Sequence, residues 1–247
     1  MWVARARFSD PIGLPNRLNT GIAKALEMIT GRFVSYTIGI PLLYSRTAYM
    51  LDVGCGSGDW LIAMKSLGYF NLMGQDISGP AADRLSQFGI PAFVGDLRDF
   101  DHPSDSFDLV RMEHVLEHVS DPVGYFNKIR SLLKPGGRLV ITIPSVESLS
   151  FQLAGCSWYA LQPGYHLFFF TASSLAHLAR RTGLLLVRCR YLPVLQQMTQ
   201  SLREMGKVGI ARLLSIGFVR LLAPPLYGVT MQLLRKGDFL TAEFVKT

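Results

Sequence analysis

The chain has 247 residues, 49% hydrophobic and 17% charged, which is long enough for one ordinary globular domain that buries roughly 70–75% of its unfolded surface. Its three cysteines, Cys55, Cys156 and Cys189, are scattered and odd in number, which argues against a disulfide framework and favours a reducing, cytoplasmic location. The apolar runs 33–45 and 221–234 are shorter than a membrane-spanning helix and contain proline, so we expect no transmembrane span.

The net charge of +7 is concentrated in two flanking segments. Residues 1–47 carry six Lys/Arg against two acids, and residues 188–237 carry eight against Glu204 alone. Both flanks are also apolar. This combination is typical either of an amphipathic surface for a membrane interface or an acidic substrate, or of solvated helix faces that cover the core. The first residues lack the continuous apolar core of a signal peptide, so none is expected.

From residue 49 onward, short apolar runs alternate with helical patterns, which predicts a parallel sheet covered by helices. The first run, YMLDVG, predicts a buried strand. Asp59 then begins a helix whose apolar stripe we expect to lie in the core and whose C′ residue is Gly68. That stripe consists of Trp60, Ala63, Met64 and Leu67.

Four further strands follow within the next hundred residues. We predict them at 71–77, 91–96, 107–112 and 138–144. Pro80 suits the first turn of the helix after the second strand. Asp121 and Pro122 predict the N-cap and first position of the helix before the fifth strand.

The regular alternation ends after Pro144 in an aromatic loop, SWYALQPGYHLFFF. Thr171 then caps a predicted helix, and strands are predicted over 184–192 and 238–246. The 45 residues between these strands, 193–237, are too many for a plain loop and predict a helical insertion. We therefore expect a helical N-terminal extension over 1–47 and one domain over 48–247.

The glycine loop that follows the first strand is the strongest functional signal in the sequence. Gly54, Gly56 and Gly58 stand at alternate positions, where a strand feeds a helix and free backbone N–H groups meet a ligand at the sheet's carboxyl edge. A nicotinamide fingerprint would be G-x-G-x-x-G, but Asp59 occupies the sixth position and would repel a pyrophosphate. No Gly-Lys-Ser/Thr follows, so a P-loop is excluded as well.

Five segments in order carry a family resemblance: LDVGCGSG, Asp76 at the end of the second strand, GDLRDF, FDLVRMEHVLEHVSDP and LLKPGGRLVITIP. Together they resemble the class I S-adenosylmethionine-dependent methyltransferases. The stretch WYALQPGYHLFFFTASSL is similar to a small-molecule subgroup related to ubiquinone-biosynthesis O-methyltransferases. The resemblance implies an α/β, Rossmann-like, doubly wound sheet of seven strands, mostly parallel with an antiparallel last strand.

The resemblance also implies a role for each residue near the glycine loop, with S-adenosylmethionine as the cofactor. The loop from Gly54 through Cys55 and Gly56 to Gly58 would hold the methionine end, and Asp52 would brace it and attract the ammonium group. Asp76 would bind both ribose hydroxyls, since a carboxylate offers two acceptor oxygens. The remaining cofactor contacts would come from Asp96 at the adenine amino group, Ile77 and Leu97 against the rings, and Glu113 or His114 beside the sulfonium.

Some of these residues also have purely structural interpretations. An aspartate at a strand end, such as Asp76 or Asp96, often only caps a helix or forms a turn. Cys55 suits a small packed position in the loop better than it suits a nucleophile.

The aromatic loop is where we expect the acceptor to bind. His166 is the candidate base, although it could instead hydrogen-bond a loop carbonyl. Trp158, Tyr159 and Tyr165 would form an apolar wall for an aromatic or lipid-like acceptor, with some of these rings belonging to the core.

This interpretation does not require a metal, but one set of residues remains an alternative candidate for metal ligands. The ubiquinone-type enzymes carry E-x-x-E-H at this place and can use a divalent metal. The matching positions here are His114, Glu117 and His118, so histidine replaces the first glutamate.

The sequence as a whole predicts S-adenosylmethionine-dependent methylation of a small molecule at oxygen. The alternatives are a non-catalytic scaffold with the same fold, acting at a membrane surface through 193–237, and a nicotinamide-dependent oxidoreductase, which Asp59 disfavours. Nucleic acid is not expected as a partner. RMEHV stands where amino-methylating enzymes of that class carry an Asn/Asp-Pro-Pro-Tyr segment, and the basic flanks lack interleaved stacking aromatics.

Overall fold

The computed structural model describes residues 44–214, 226–228, 230–231 and 233–247. The predicted N-terminal extension over 1–47 therefore lies almost entirely outside the described residues, and so does part of the insertion over 193–237. No helix among the described residues is long and apolar enough to cross a membrane.

Seven strands form a single sheet in the order β3-β2-β1-β4-β5-β7-β6. They are β1 (Met50–Val53), β2 (Leu72–Asp76), β3 (Ala92–Val94), β4 (Phe107–Glu113), β5 (Leu133–Pro144), β6 (Leu184–Leu192) and β7 (Phe239–Lys246). The β3-β2-β1-β4-β5 pairs are parallel, whereas β7 runs antiparallel to both β5 and β6. The predicted α/β class, with a mostly parallel sheet and an antiparallel last strand, is confirmed.

Within the described residues, seven α-helices with continuous bounds connect these strands or extend from them. They are α1 (Asp59–Ser66), α2 (Pro80–Gln87), α3 (Pro122–Leu132), α4 (Leu149–Ala154), α5 (Ala172–Arg181), α6 (Leu195–Glu204) and α7 (Val208–Leu213). Asp121 caps α3 by accepting a hydrogen bond from the backbone N–H of Gly124, and Thr171 caps α5 through a capping box with Ser174. Both caps agree with the sequence prediction because each side-chain oxygen satisfies a free N–H at a helix start.

The central strands are almost continuously apolar because they are covered on both faces. Every residue of β1 is buried, and so are five of the seven residues of β4. The buried rings of Phe107, Phe126 and Phe244 join this core from β4, α3 and β7. Burial on both faces is what distinguishes the interior strands of a parallel sheet from half-exposed antiparallel ones.

Two local predictions were wrong. In α1 only Met64 of the expected stripe is fully buried, while Ala63 and Leu67 are exposed, because the eight-residue helix turns Leu61 and Met64 towards the sheet. The fifth strand begins at Leu133 instead of residue 138, because Leu133 pairs with Phe107 before an irregularity in the register.

The described part of the insertion is tied to the sheet at its base. Leu192 and Phe239, the residues that flank it, are paired across β6 and β7. The buried carboxylate of Asp238 accepts hydrogen bonds from the Val194 N–H at 2.7 Å and from the Tyr227 hydroxyl at 2.9 Å. Both helices placed between these anchors, α6 and α7, therefore start from a fixed base.

Candidate active site

The three loop glycines differ in what surrounds them, although each has a positive φ, of 65°, 53° and 76°. A Cβ on Gly54 would lie 2.3 Å from Cγ2 of Val115, and one on Gly58 would lie 2.6 Å from Cδ2 of Leu85. A Cβ on Gly56 would meet nothing closer than the Gly54 carbonyl oxygen at 4.0 Å. Gly54 and Gly58 are therefore required for packing, and Gly56 is the glycine that faces open space.

Asp76, at the end of β2, lies directly against this loop. One carboxylate oxygen accepts a hydrogen bond from the Gly56 N–H at 2.8 Å, and the other accepts from the backbone N–H and hydroxyl of Ser78 at 2.9 and 2.7 Å. The side chain thus forms a turn and also reaches the one glycine that is open to a ligand. Ile77, next along the chain, is 77% exposed and can pack against a planar ring.

Gln75 was missed by the sequence analysis. Its side chain is buried, and its amide oxygen accepts from the Gly54 N–H at 3.3 Å while its amide nitrogen donates to the Gly95 carbonyl at 2.6 Å. It therefore ties the glycine loop to the turn after β3. The sequence did contain a signal for Gln75, because it is an amide side chain inside the apolar run of β2, and a buried polar group needs hydrogen-bond partners.

Asp96 and Leu97, expected at the adenine, are already engaged by the protein. Both carboxylate oxygens of Asp96 accept from Arg98, whose Nε and Nη2 lie 3.0 and 2.9 Å away. The Arg98 side chain thereby holds the pKa of Asp96 below its usual range. Leu97 is fully buried, so it offers no surface to a ring and belongs to the core.

Asp52 does not face the loop as a free charge. It is buried on β1 and accepts a hydrogen bond at 2.8 Å from Nη1 of Arg111, its register partner on β4. Nη2 of Arg111 donates to Glu113, and the Trp60 ring covers the guanidinium at 4.9 Å. We call these three charged residues the Asp52–Arg111–Glu113 triad. Burial raises the pKa of Asp52, although the neighbouring guanidinium opposes the shift.

Cys55 is buried in the loop, where its sulfur would lie 2.9 Å from a Cβ placed on Gly74. Burial raises the pKa of its thiol to about 12. A thiol in that state is not a nucleophile at neutral pH, in agreement with the expectation that Cys55 is a packed residue.

Beyond β4, the backbone of His114 adopts a positive φ of 54°, which is uncommon for a residue with a side chain. Its ring packs edge-on against Phe239, and its Nδ1 lies 3.2 Å from Oε1 of Glu117. Glu117 is itself buried, and its second oxygen has no hydrogen-bond partner among the described residues. A buried carboxylate oxygen without a partner is costly and indicates a site for a ligand or ion.

Two imidazoles complete this cluster. One potential ligand atom from each of Glu117, His118 and His166 lies within 4.8 Å of the others. Nδ1 of His118 contacts the Tyr165 carbonyl at 2.9 Å, and Nδ1 of His166 contacts the Ala160 carbonyl at 2.7 Å. Because a carbonyl only accepts, Nδ1 carries the proton in each ring and Nε2 of the neutral form has a free lone pair.

The structure thus brings His166 to Glu117 and His118, whereas the sequence had grouped those two residues with His114. The backbone N–H of Leu167 donates to the Glu117 carbonyl at 2.7 Å, which docks the aromatic loop beside β4. Burial lowers the pKa of His166, so its neutral form is favoured. We call Glu117, His118 and His166 the His-Glu cluster.

The expected aromatic wall separates into packed and exposed rings. Trp158 is buried, with its ring edge-on to Phe151 at a centroid distance of 5.2 Å. Tyr159 and Tyr165 are 38% and 70% exposed. Only these two tyrosines, of the three expected substrate residues, present a large surface to solvent.

Comparison with known proteins agrees with this architecture. The sequence model of a family described as "Methyltransferase domain" matches residues 32–188, more than half of the chain. The chain belongs to this methyltransferase family. The loop, Asp76 and the His-Glu cluster all lie within the matched range.

Relatives and solved structures extend the comparison. A Ubiquinone biosynthesis O-methyltransferase of Cereibacter sphaeroides is 33% identical over 147 residues, which are 55% of this methyltransferase chain and 59% of the relative. One from Paraburkholderia phymatum is 33% identical over 150 residues, 55% of this chain and 64% of the relative. The chain thus matches about three fifths of these relatives' length.

Two solved structures share the fold. A putative methyltransferase in complex with the Haloferax volcanii Trm112 activator aligns with a TM-score of 0.60 at 17% identity, covering 92% of this chain and 94% of that one. Haemonchus contortus phosphoethanolamine N-methyltransferase 2, in complex with S-adenosyl-L-methionine, aligns with a TM-score of 0.57 at 20% identity, covering 90% and 56%.

S-adenosylmethionine is the cofactor of this family, and the glycine-loop edge of the methyltransferase domain is compatible with it. Gly56 leaves open space at the loop, the Asp76 carboxylate, which is held by Gly56 and Ser78, lies beside that space, and Ile77 supplies an exposed apolar surface.

Proposed function

We propose that the protein transfers the methyl group of S-adenosylmethionine to an oxygen of a small-molecule acceptor, in the class of phenols and quinols. The observation that carries the proposal is the His-Glu cluster, which lies just beyond β4, the strand that pairs directly with glycine-loop strand β1. The relatives named as O-methyltransferases support the same acceptor atom.

The cofactor would lie along the glycine loop, with its ribose at Asp76 and its amino-acid end towards β4. Asp96 and Leu97 are not part of this proposal, since Arg98 and the core already occupy them. Holding the acceptor oxygen in line with the methyl group supplies most of the rate in such a reaction, about 7–11 kcal/mol in intramolecular models.

His166 would accept the acceptor's proton at Nε2. The Ala160 carbonyl fixes the ring in the tautomer with that lone pair, and burial keeps the imidazole neutral. Tyr159 and Tyr165 would pack against the acceptor ring. A base matters for a hydroxyl acceptor and much less for an amine, which is why the cluster favours oxygen.

The His-Glu cluster also has the donor types of a divalent metal site, and in that case Nε2 of His166 would bind the metal instead of acting as the base. Two imidazoles and one buried carboxylate are ligands that zinc and other transition metals accept, and carbonyls that hold the opposite ring nitrogens are the usual support for ligating histidines. When bound, a metal would polarise the acceptor oxygen and lower the pKa of its hydroxyl. Metal content of the purified protein, and turnover after chelation and re-addition of metal, would test this part of the proposal.

The decisive experiment measures S-adenosylhomocysteine formation with pooled phenols, quinols, amines, amino sugars and lipids. We expect product only with hydroxyl acceptors, and we expect the rate of its formation to fall by about 10²–10⁴-fold in His166→Gln. The exposed His177→Gln variant serves as a control. Formation with amines alone would contradict O-methylation. No turnover, together with no S-adenosylhomocysteine binding, would favour a non-catalytic scaffold.

Membrane contact of the insertion is a second part of the proposal. Val208 and Ile210 of α7 are 57% and 52% exposed, next to Lys207, in the segment where basic residues outnumber Glu204 eight to one. Flotation with anionic liposomes tests it. Absence of binding by the full chain, or equal binding by Val208→Ser/Ile210→Ser, would contradict it.

A further inference from the structure

The Asp52–Arg111–Glu113 triad places one cation between two carboxylates beside the glycine loop. Asp52 and Arg111 are directly paired across β1 and β4, and each carboxylate accepts a hydrogen bond from a different nitrogen of the guanidinium. The triad therefore carries one net negative charge when all three groups are ionised.

The three side chains differ in their access to solvent. The Asp52 side chain is 2% exposed and that of Arg111 is 10% exposed, while that of Glu113 is 28% exposed. The Trp60 ring lies over the guanidinium. Glu113 is thus the only carboxylate of the triad that a ligand can approach without displacing the buried pair.

Glu113 also stands where the amino-acid end of the cofactor is expected. Val53 and Met112 are the last paired residues of β1 and β4, so Glu113 continues β4 alongside Gly54. Val115, two residues further, lies against Gly54 closely enough to exclude a Cβ there. Glu113 therefore occupies the strand position beside the first residue of the loop.

We propose that Glu113 binds the ammonium group of the cofactor's amino-acid end and that Arg111 is a positioning residue that holds the Glu113 carboxylate there. Asp52, which the sequence analysis had assigned to the ammonium, acts as the buried anchor of Arg111. This inference rests on the proposed function and deepens it, because it names which charge recognises the methionine end.

The electrostatics explain why an arginine is needed. Two carboxylates this close repel each other. The guanidinium fork contacts both at once and offsets that repulsion, which lysine, a single point charge, does less well. One negative charge then remains at the exposed end of the triad for a cationic ligand.

The test compares two ligands that differ only at the relevant end. Isothermal titration with S-adenosylhomocysteine, which has the ammonium, and with 5′-methylthioadenosine, which lacks the amino-acid end, separates that end from the nucleoside. We expect Glu113→Gln to weaken S-adenosylhomocysteine binding about tenfold, the value of one charge-assisted hydrogen bond. Binding of 5′-methylthioadenosine should stay unchanged, and Asp101→Asn, at an exposed carboxylate, is the control.

Two further variants address Asp52 and Arg111. Asp52→Asn keeps an acceptor for Arg111, so it should change the ratio of the two affinities by less than about threefold. In an Arg111→Lys background, Glu113→Gln should likewise cost less than about threefold, because the Glu113 carboxylate is no longer held in place. Thermal unfolding of each variant confirms that the compared proteins are folded.

The outcomes separate two failures. The quantity compared is the affinity for S-adenosylhomocysteine divided by the affinity for 5′-methylthioadenosine. If Glu113→Gln leaves this ratio unchanged, or if Asp52→Asn lowers it tenfold, the inference is wrong while the proposed function stands. If the unsubstituted protein binds neither S-adenosylmethionine nor either nucleoside, the proposed function fails and the inference falls with it.

Discussion

The two halves of the candidate active site are built from different materials. The cofactor half, residues 50–99, depends on backbone: three positive φ angles, loop amides that donate to Gln75 and Asp76, and side chains at strand ends. The acceptor half, residues 114–118 and 145–170, depends on side chains that separate segments bring together in the His-Glu cluster. Substitutions in the cofactor half should therefore affect folding and cofactor affinity, whereas substitutions in the acceptor half should affect turnover alone.

The largest expected effect lies in the backbone half. Gly54→Ala places a Cβ 2.3 Å from Val115 at a φ of 65°, and it should lower the free energy of unfolding by roughly 2–5 kcal/mol, from overpacking and left-handed strain together. Gly56→Ala has the same strain without the clash, so it should cost only about 1–2 kcal/mol. It should instead abolish S-adenosylhomocysteine binding. Urea denaturation and titration calorimetry measure the two effects, and equal loss of stability in both variants would contradict the assigned roles.

In the side-chain half, His166→Gln should lower kcat by about 10²–10⁴-fold, the usual contribution of a positioned base. Affinity for S-adenosylhomocysteine should not change, because His166 contacts the aromatic loop and the His-Glu cluster and not the glycine loop. Initial rates and calorimetry on the same preparations measure both. A parallel fall of affinity and turnover would show that the two halves are not separable.

A smaller effect distinguishes the two aspartates of the cofactor half. Asp76→Asn should weaken S-adenosylhomocysteine binding about 10–100-fold, because hydrogen bonds to a charged group contribute about 1.5–3 kcal/mol each. Asp96→Asn should have little effect, since the Arg98 guanidinium already neutralises Asp96, whereas the donors to Asp76 from Gly56 and Ser78 are uncharged. The reverse order would restore Asp96 as an adenine ligand and displace Asp76.

The smallest effect concerns thiol reactivity. With a pKa of about 12, Cys55 is only about 10⁻⁴ thiolate at pH 8 and resists alkylation. Exposed Cys156, directly before the aromatic loop, should react quickly with iodoacetamide, as mass spectrometry of timed samples would show. Because the shift favours the protonated thiol throughout the neutral range, raising the pH to 9 should leave Cys55 protected while the protein is folded. Rapid labelling of Cys55 would contradict the closed loop.

The sequence predicted the strands and the position of Asp76 because each of these features depends on a local pattern. A strand end, a glycine spacing and a helix cap can be counted along the chain. Gln75 and Arg111 were not predicted, because each lies inside an apolar strand and its partners come from elements far away in sequence.

The cluster around His166 was missed for a related reason. His114, Glu117 and His118 are neighbours along the chain, so their spacing suggested a set. Only the docking of the aromatic loop on the Glu117 carbonyl brings His166 to Glu117 and His118, while His114 keeps its contact with Glu117. The misassigned stripe of α1 is a similar case, since the face a short helix buries depends on how it sits on the sheet.

The anchoring of the insertion at Leu192, Phe239 and Asp238 has a consequence for divergence within the family. The two ends of the insertion leave the sheet near residues that are paired across β6 and β7, so adding or deleting residues changes only the length of the connection between them. Each doubling of the length of a flexible loop raises the entropic cost of closing it by only about 0.6 kcal/mol. Changes in the length of this insertion should therefore leave the sheet and the glycine loop intact.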